Sequence, residues 1–462
     1  MDSDVPPDMV EPPVVVTRQP DLVVAAGWVL TMGDPVDGVH PVIPDGAVAI
    51  ADGRIVDVGP ARSVVERAGP APVRRLPGHV LLPGLVNAHT HLAMTMFRGF
   101  ADDLDLSAFL ERLLPVEAAV LTSDRVRLAT RAAAVESVSA GTTTALDMYF
   151  FADAALTAAD EVGLRLLTGP VFLDGMGPAQ MDRGRVVEWA QGWLDRHPAR
   201  PDWRPVIGPH STYAVSPDLL RDLGALATDH GAVFHVHAAE TATEVETVRT
   251  MHGARPVEVL ESLGLLGPRT VIGHGVHLTD AEIEAVASAG ASVAHCPASN
   301  MKLGSGLARI PELLGAGANV ALGTDGPASS NDLDILGAAR LAALLHKGLA
   351  IHGGTGDARN LPAAEVLRLA TIGGARALGI DAAVGSIEVG KCADLVAIDL
   401  DRPHVQPVYD PASAVVYAAG RGDVTDVWVG GRAVVVDSDV MTIDPAVATA
   451  DLRSLQRDVL SL

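Results

Sequence analysis

Short apolar runs alternate with alanine-rich stretches of helical length through the middle of the chain, from residue 81 to residue 384. The helical stretch 126–139 precedes the apolar run 142–148, and the stretch 281–289 precedes the run 291–294. Such alternation is typical of βαβ units, in which helices connect parallel strands. With about eight alternations in roughly 300 residues, the pattern predicts an α/β fold of the closed TIM (β/α)₈ barrel type rather than an open sheet.

The two ends of the chain differ in composition from the middle region, because β-branched residues replace the alanine-rich stretches. Residues 22–32 and 47–58 near the start read as short strands separated by turns, and so do residues 385–400 and 424–436 near the end. Both ends are therefore predicted to be β-structure.

A chain of 462 residues exceeds what one hydrophobic core usually supports, so an accessory domain is expected. We predict a composite, β-sandwich-like domain made of residues 21–80 and 385–462, beside a catalytic barrel of residues 81–384. Two separate β lobes are the alternative. Residues 1–20 are acidic and rich in proline, and we expect them to form a disordered tail.

Charge and cysteine content narrow the range of partners. The formal net charge is −23, and such a surface repels a phosphate backbone, so no nucleic-acid partner is expected. Cys296 and Cys392 are the only cysteines, which favours a reducing compartment. The first twenty residues lack the features of a secretory signal, and no apolar run is long enough to span a membrane. We expect a cytoplasmic protein whose partner is a small molecule.

A His-x-His pair ends the first apolar run of the middle region, which reads LLPGLVNAHTH over residues 81–91. Side chains two residues apart on a strand point the same way, so His89 and His91 project together. In a barrel, that direction leads into the mouth at the carboxyl ends of the strands, where active sites lie. Packed or solvent-facing histidines are the alternative reading of this pair.

Three later strand-like runs are also followed by, or end in, histidine, glutamate or aspartate residues, which can bind a metal or transfer a proton. His235 and His237 end one run with Glu240 just beyond it, His274 ends the next, and Asp325 follows the last. Each could be a packed histidine or an ordinary turn, but chance rarely places all of them at strand ends. Geometry alone leaves His235 and His237 both as candidate ligands. Three histidines and one aspartate suit Zn²⁺, with Fe²⁺ or Mn²⁺ as alternatives.

These residues resemble the amidohydrolase superfamily, in particular its branch of cytosine, guanine, triazine and adenosine-type hydrolases. The resemblance covers residues 20 to 440 approximately. It implies that His89, His91, His237 and Asp325 bind one metal ion and that Glu240 and His274 handle protons. Many relatives bind two ions through a lysine on the fourth strand, but this chain has no lysine before Lys302.

The implied mechanism is hydrolytic. A divalent ion lowers the pKa of water to about 7, which supplies hydroxide at neutral pH. His274 and Asp325 are expected to hold and deprotonate this water. Glu240 is expected to protonate a ring nitrogen of the substrate and then to pass a proton to the leaving ammonia.

Four segments narrow the resemblance to the deaminases of methylthioadenosine and S-adenosylhomocysteine: residues 91–103, 208–213, 295–304 and 323–333. The resemblance implies conversion of a 5′-modified adenosine to the inosine analogue plus ammonia. A related hydrolase acting on a free base or a triazine is the alternative, and a non-catalytic barrel is a third. The resemblance also implies a homo-oligomer.

The same resemblance implies three substrate contacts. Glu117 matches a carboxylate that binds both ribose hydroxyls, and His210 matches a contact to the nucleoside. Arg183 or Arg185 matches an arginine that binds a substrate carboxylate. Residues 167–170 read LTGP and lack an arginine that the family often carries there, which favours methylthioadenosine over S-adenosylhomocysteine.

Overall fold

A computed structural model describes residues 19–35, 41–174, 183–348 and 356–462, and the predicted tail falls almost entirely outside them. The strands, in chain order, are β1 (Leu22–Leu30), β2 (Val42–Ala51), β3 (Arg54–Pro60), β4 (Val73–Pro83), β5 (Leu85–Thr90), β6 (Thr142–Asp147), β7 (Arg165–Leu167), β8 (Val171–Phe172), β9 (Val206–Pro209), β10 (Val233–Ala238), β11 (Thr270–His274), β12 (Ser292–His295), β13 (Asn319–Leu322), β14 (Leu395–Asp399), β15 (Val424–Val429), β16 (Arg432–Val436) and β17 (Asp439–Val440).

The helices are α1 (Ala61–Ala68), α2 (Leu106–Val120), α3 (Ser123–Ser139), α4 (Ala152–Val162), α5 (Arg183–Arg196), α6 (Pro217–Asp229), α7 (Ala242–His252), α8 (Pro256–Ser262), α9 (Asp280–Ala289), α10 (Pro297–Lys302), α11 (Ile310–Gly315), α12 (Ile335–Gly348), α13 (Ala363–Leu369), α14 (Ile372–Ala377), α15 (Pro411–Tyr417) and α16 (Pro445–Leu460). None of the helices in the described residues is long and apolar enough to cross a membrane.

Strands β5 to β13 form the predicted TIM barrel. Parallel pairing joins β5, β6 and β7 in one sheet and β8 to β13 in another. The ring closes where β13 packs beside β5, and the Asp325 N–H donates to the His89 carbonyl at 3.0 Å. Every residue of β5, β6, β10 and β11 is buried, as expected for parallel strands covered on both faces.

The third position of the barrel is occupied by two short pieces, β7 and β8. Thr168, Gly169 and Pro170 separate them, and Pro170 has no N–H to donate to a neighbouring strand. The Val206 N–H still donates to the Thr168 carbonyl at 3.3 Å, so the interrupted strand stays beside β9.

A second sheet of eight strands, in the order β17-β16-β15-β14-β4-β1-β2-β3, combines strands from both ends of the chain. The ends meet where β14 pairs antiparallel with β4, with Val396 opposite Leu82. On the other side, β4 pairs parallel with β1. The strands therefore form one hydrogen-bonded sheet rather than two separate lobes. Its last strand before the barrel, β4, leads directly into β5 and so into the His-x-His segment.

Candidate metal centre and active site

The histidines and the aspartate singled out in the sequence converge inside the mouth of the barrel. His89 lies on β5, His91 directly follows it, and His237 lies on β10. His274 ends β11, and Asp325 follows β13 by three residues. All five side chains are buried. They meet because the carboxyl ends of parallel barrel strands surround one opening.

Four side-chain atoms able to bind a metal lie close together, and we call their residues, His89, His91, His237 and Asp325, the converging group. The Nε2 atoms of His91 and His89 are 3.1 and 3.4 Å from Asp325 Oδ1, and the Nε2 atoms of His237 and His91 are 3.3 Å apart. A tetrahedral zinc site with bonds of 2.0–2.1 Å has ligand atoms about 3.3–3.4 Å apart. The buried Nε2 of His89 has no hydrogen-bond partner among the described residues. The donor set therefore fits a single divalent ion.

Hydrogen bonds at Nδ1 orient two of these imidazoles so that their Nε2 atoms face the other ligand atoms. The Nδ1 of His91 faces the Met148 carbonyl at 2.5 Å, and the Nδ1 of His237 faces the His210 carbonyl at 2.9 Å. A ring that donates its Nδ1 proton to a carbonyl presents a lone pair at Nε2, which is the form that binds a metal.

His89 is oriented differently, by another histidine. Its Nδ1 lies 2.8 Å from the Nε2 of His235. His235 is buried and precedes His237 by two residues, so both side chains lie on the same face of β10. The structure thus brings His235 to the outer nitrogen of His89 and His237 to the converging group. Spacing along the strand could not make this distinction, since both residues share one face.

Asp325 is held as a carboxylate with one oxygen directed at the histidines. Its Oδ2 accepts hydrogen bonds from the hydroxyls of Ser299 and Ser329, both at 2.6 Å, which leaves Oδ1 for the converging group. Burial opposes its charge, but the nearby imidazoles of His89 and His91 outweigh burial and hold the pKa of the Asp325 carboxyl well below its ordinary value. Neither serine was assigned a role from the sequence.

Glu240 and His274 lie beside this group in positions suited to proton transfer. The Nε2 of His274 is 3.8 Å from Glu240 Oε2, and its Nδ1 lies 2.8 Å from Asn300 Oδ1. Burial raises the pKa of the Glu240 carboxyl, although the nearby His274 opposes that rise. Glu244 accepts hydrogen bonds from the backbone N–H groups of Ala239 and Glu240, at 3.0 and 2.6 Å, and so holds the turn that carries Glu240.

The backbone is strained at this site. Ala239, His274 and Asp325 have φ of 55°, 72° and 60°, which lie in the left-handed region that residues other than glycine rarely adopt. Strain of this kind persists only where the surrounding structure holds it, and it is concentrated at functional sites.

A cavity of about 720 Å³ extends from the converging group toward the mouth of the barrel. His91, His237, Glu240, His274 and Asp325 line its inner end. The remainder of the wall is largely apolar and includes Met94, Leu106, Phe109, Leu110, Leu114, Met148, Phe150, Val171, Leu173 and Leu303. Lysine and arginine are absent from the described lining residues.

Two of the three predicted substrate contacts lie on this cavity wall. Glu117, on α2, is buried and accepts a hydrogen bond from the Tyr149 hydroxyl. Burial raises the pKa of its carboxyl to about 7, against the opposing effects of Tyr149 and His91. His210 directly follows β9, and its ring packs 4.7 Å from the ring of His237.

Arg183 is not brought to the cavity. It opens α5, where its side chain is half exposed and bound to two carboxylates. Its Nε donates to Asp222 at 2.7 Å, and its Nη1 lies 3.2 Å from Asp218. Its assignment as a substrate contact remains a prediction.

Sequence reasoning missed the residues that support the site from outside it. Tyr149 lies in the loop after β6, Glu244 in the first turn of α7 after β10, and Ser299 and Asn300 on α10 after β12, so each follows the end of a barrel strand. Their position after a strand was the available signal, but polar residues are common at such positions. Only the contacts distinguish them.

Comparison with known proteins defines the class. Residues 80–434 match the model of the amidohydrolase family, so the chain belongs to that family.

Individual relatives narrow the class further. The chain is 41% identical over 440 residues to 5-methylthioadenosine/S-adenosylhomocysteine deaminase of Syntrophobacter fumaroxidans, covering 95% of this chain and 98% of the relative. It is 40% identical to 5′-deoxyadenosine deaminase of Methanothermobacter thermautotrophicus, over 86% of this chain and 91% of that protein. A crystal structure of an adenosine deaminase from Xanthomonas campestris with bound zinc superposes with a TM-score of 0.89 at 40% identity, covering 96% of this chain and 99% of that one.

Proposed function

We propose that the chain is a metal-dependent hydrolytic deaminase that converts an adenine nucleoside to the matching inosine and releases ammonia. One observation carries the proposal. A cavity of about 720 Å³ has a group of histidines and an aspartate at its inner end, Glu240 and His274 beside them, and Glu117 on its wall. The relatives at 40–41% identity, which are named as deaminases of such nucleosides, support it.

The proposed metal ligands are His89, His91, His237 and Asp325, and the ion is Zn²⁺ in the first place, with Fe²⁺ or Mn²⁺ as alternatives. Support comes from the ligand-atom spacings of 3.1–3.4 Å and from the orphaned Nε2 of His89. When bound, the ion lowers the pKa of a water molecule to about 7 and so supplies a nucleophile at neutral pH. His235 orients His89 and is not itself a ligand in this proposal.

The proton-transfer groups act on either side of the substrate carbon. Glu240 donates its proton to the ring nitrogen of the purine, which makes the amino-bearing carbon electrophilic. Its carboxylate then takes up a proton that originates from the attacking water and gives it to the departing ammonia. His274 and Asp325 orient the attacking water and accept its proton. The distance of 3.8 Å between His274 and Glu240 allows both to reach one substrate carbon from different sides.

Glu117 is proposed to bind the ribose. As a carboxylate, it can accept a hydrogen bond from each of two vicinal hydroxyls, and Tyr149 already orients one of its oxygens. His210, which lines the cavity beside His237, is proposed to contact the nucleoside. With a free base, the Glu117 oxygen that Tyr149 does not bind would lack the hydroxyl partners of a ribose, at a cost of about 1–3 kcal/mol.

The outer wall favours an apolar group at the 5′ position of the ribose. Leu106, Phe109 and Leu110 line this part of the cavity from α2, and Phe150 faces it from the loop after β6. The described lining contains no cation for an amino-acid carboxylate, and the sequence GMGPAQMD of residues 175–182 contains none either. We therefore place methylthioadenosine before S-adenosylhomocysteine and before adenosine.

An ammonia-release screen tests the proposal. The metal-loaded protein is given methylthioadenosine, 5′-deoxyadenosine, adenosine, S-adenosylhomocysteine, adenine, guanine and an amino-triazine at equal concentration. We expect the first two nucleosides to give the highest kcat/KM. Guanine or the triazine as the preferred substrate, with no conversion of any adenosine, would contradict the proposal and favour a base or triazine hydrolase.

We also propose that residues 81–384 form the catalytic barrel and that residues 21–80 and 385–462 form a composite β domain. The continuous sheet through β4 and β14 supports this division. A cytoplasmic location is proposed because both cysteines are unpaired and buried. Assembly into a homo-oligomer is proposed from the family resemblance, and light scattering of the purified protein tests it.

A further inference from the structure

Lys302 joins three loops at the rim of the cavity. Its Nζ donates to Asp102 Oδ1 at 2.6 Å, to the Ala328 carbonyl at 3.1 Å and to the side-chain oxygen of Asn331. Asn331 in turn donates from Nδ2 to Asp102 Oδ2 at 3.1 Å, which closes a ring of hydrogen bonds. A lysine ammonium has three N–H donors, and here each has an acceptor. We call Lys302, Asp102 and Asn331 the rim cluster.

The rim cluster connects neighbouring positions of the barrel. Lys302 ends α10, which follows β12, and Asp102 belongs to the segment after β5. Ala328 and Asn331 belong to the loop after β13. The rim cluster therefore joins the loops that follow the seventh, eighth and first strands of the barrel.

Each of these loops also carries a residue of the cavity wall. Leu303 directly follows Lys302, and Ser329 directly follows Ala328, and both line the cavity. Ser329 also donates to the Oδ2 of Asp325 at 2.6 Å. Lys302 and its acceptor Ala328 are thus each one residue away from the cavity wall.

In the third loop, the rim cluster lies just before α2. Asp102 precedes Asp105 by three residues, and the Asp105 carboxylate caps α2 by accepting the Ala108 N–H at 2.9 Å. That helix carries the apolar wall and Glu117. Its interior contains Pro115, which cannot donate a backbone hydrogen bond to the preceding turn. The internal ladder of α2 therefore lacks one hydrogen bond close to Glu117, and contacts from outside the helix contribute more to its position than in a regular helix.

We propose that Lys302 is a positioning residue that fixes α2 over the inner end of the cavity, so that Glu117 lies at the right distance from the reacting groups. The inference rests on the proposed function, because Glu117 is taken to bind the ribose. Lys302 is not itself a described lining residue of the cavity, and the acceptors of its Nζ are not proposed metal ligands. Its loss should weaken binding of the nucleoside while leaving the chemistry at the inner end unchanged.

The test uses the full-length, metal-loaded protein and the variant Lys302→Met, which keeps an unbranched side chain one atom shorter and removes its donors. We expect KM for methylthioadenosine to rise about tenfold with kcat within about twofold of the wild type. Lys302→Arg, which keeps a cation with several donors, should recover part of this loss. Metal content should be unchanged.

Lys347→Met is the matched control. The Nζ of Lys347 also donates hydrogen bonds to backbone carbonyls, including that of Leu361 at 2.7 Å. Lys347 lies on α12, however, and is not among the described lining residues of the cavity. This variant should leave KM unchanged. If Lys302→Met does not fold, Asp102→Asn removes the charged acceptor of the same ion pair, and we expect a smaller rise in KM of about threefold.

A second measurement needs no substrate. Amide hydrogen exchange over residues 106–120 should be faster in Lys302→Met than in the wild type and in Lys347→Met, because α2 loses its anchor. Unchanged exchange in α2, or a fall in kcat at constant KM, would overturn the inference. If the wild-type protein deaminates no adenine nucleoside, the proposed function fails, and the exchange measurement still decides whether Lys302 anchors α2.

Discussion

At the inner end of the cavity, the polar side chains lie at or just beyond the ends of barrel strands. Further hydrogen bonds hold them: the Nδ1 of His91 lies beside the Met148 carbonyl, and Asp325 accepts from the hydroxyls of two serines. At the outer end, the wall is apolar and comes largely from α2 and the loops, and Glu117 is held by the Tyr149 hydroxyl. Strands fix directions accurately, whereas loops and added helices can change without disturbing the barrel. The inner end therefore suits chemistry shared by a family, and the outer end suits the choice of substrate.

The largest effect should come from removing a proposed ligand at the inner end. His89→Ala should abolish metal retention and reduce turnover to background, because the remaining three groups leave the tetrahedral set incomplete. Metal analysis after dialysis and an ammonia-release assay measure the two losses. Full metal content and activity in this variant would contradict the ligand assignment.

Two other histidines serve as controls for that experiment. His404→Ala should change neither property, because His404 is half exposed and lies beside Asp423, near the second sheet. His235→Ala should weaken metal affinity by about 10- to 100-fold without abolishing binding, as expected for a residue that orients a ligand. Complete metal loss in His235→Ala would mean that His235 is itself a ligand.

The next largest effect should separate proton transfer from metal binding. Glu240→Gln should retain the metal and lose about 10²- to 10⁴-fold in kcat, because a neutral amide cannot carry the proton. Metal content and kcat are measured on the same preparation. Near-wild-type kcat in this variant would show that another group transfers the proton.

The smallest of these effects should arise at the outer end and should depend on the substrate. Glu117→Gln should lower kcat/KM for methylthioadenosine by about 5- to 150-fold, which corresponds to about 1–3 kcal/mol for hydrogen bonds to a charged group. Activity on free adenine should change little, because adenine has no ribose. An equal loss on both substrates would place Glu117 in the chemistry rather than in ribose binding, and the division between the two ends would fail.

The raised pKa of Glu117 also predicts how the preference for methylthioadenosine over adenine changes with pH. Burial raises that pKa to about 7, so the carboxylate proposed to accept the ribose hydroxyls is formed only as the pH rises through about 7. The preference for methylthioadenosine over adenine should therefore increase with pH across this range in the wild type. In Glu117→Gln the ratio should not vary with pH.

Much of the barrel and of the inner site followed from the sequence, because the residues concerned obey local rules. Alternating apolar and helical stretches predict parallel strands, and residues two apart on a strand share a face, which pairs His89 with His91. The interrupted third strand at Pro170 departs from the regular pattern for an equally local reason, the missing N–H. The absence of any lysine before Lys302 also excludes a lysine bridge on the fourth strand without reference to coordinates.

The depth of each side chain within the barrel and its contacts with distant segments could be determined only from the tertiary structure. His235 and His237 share one face of β10, and only the packing of neighbouring strands decides that His237 meets His91 while His235 meets the other nitrogen of His89. Arg183 lies close in sequence to the cavity loops, yet nearby carboxylates bind it elsewhere. Lys302 reaches Asp102 across 200 residues of sequence. Periodicity sets the direction of a side chain along its own strand or helix, but the partner it meets depends on how the closed barrel brings separate elements together.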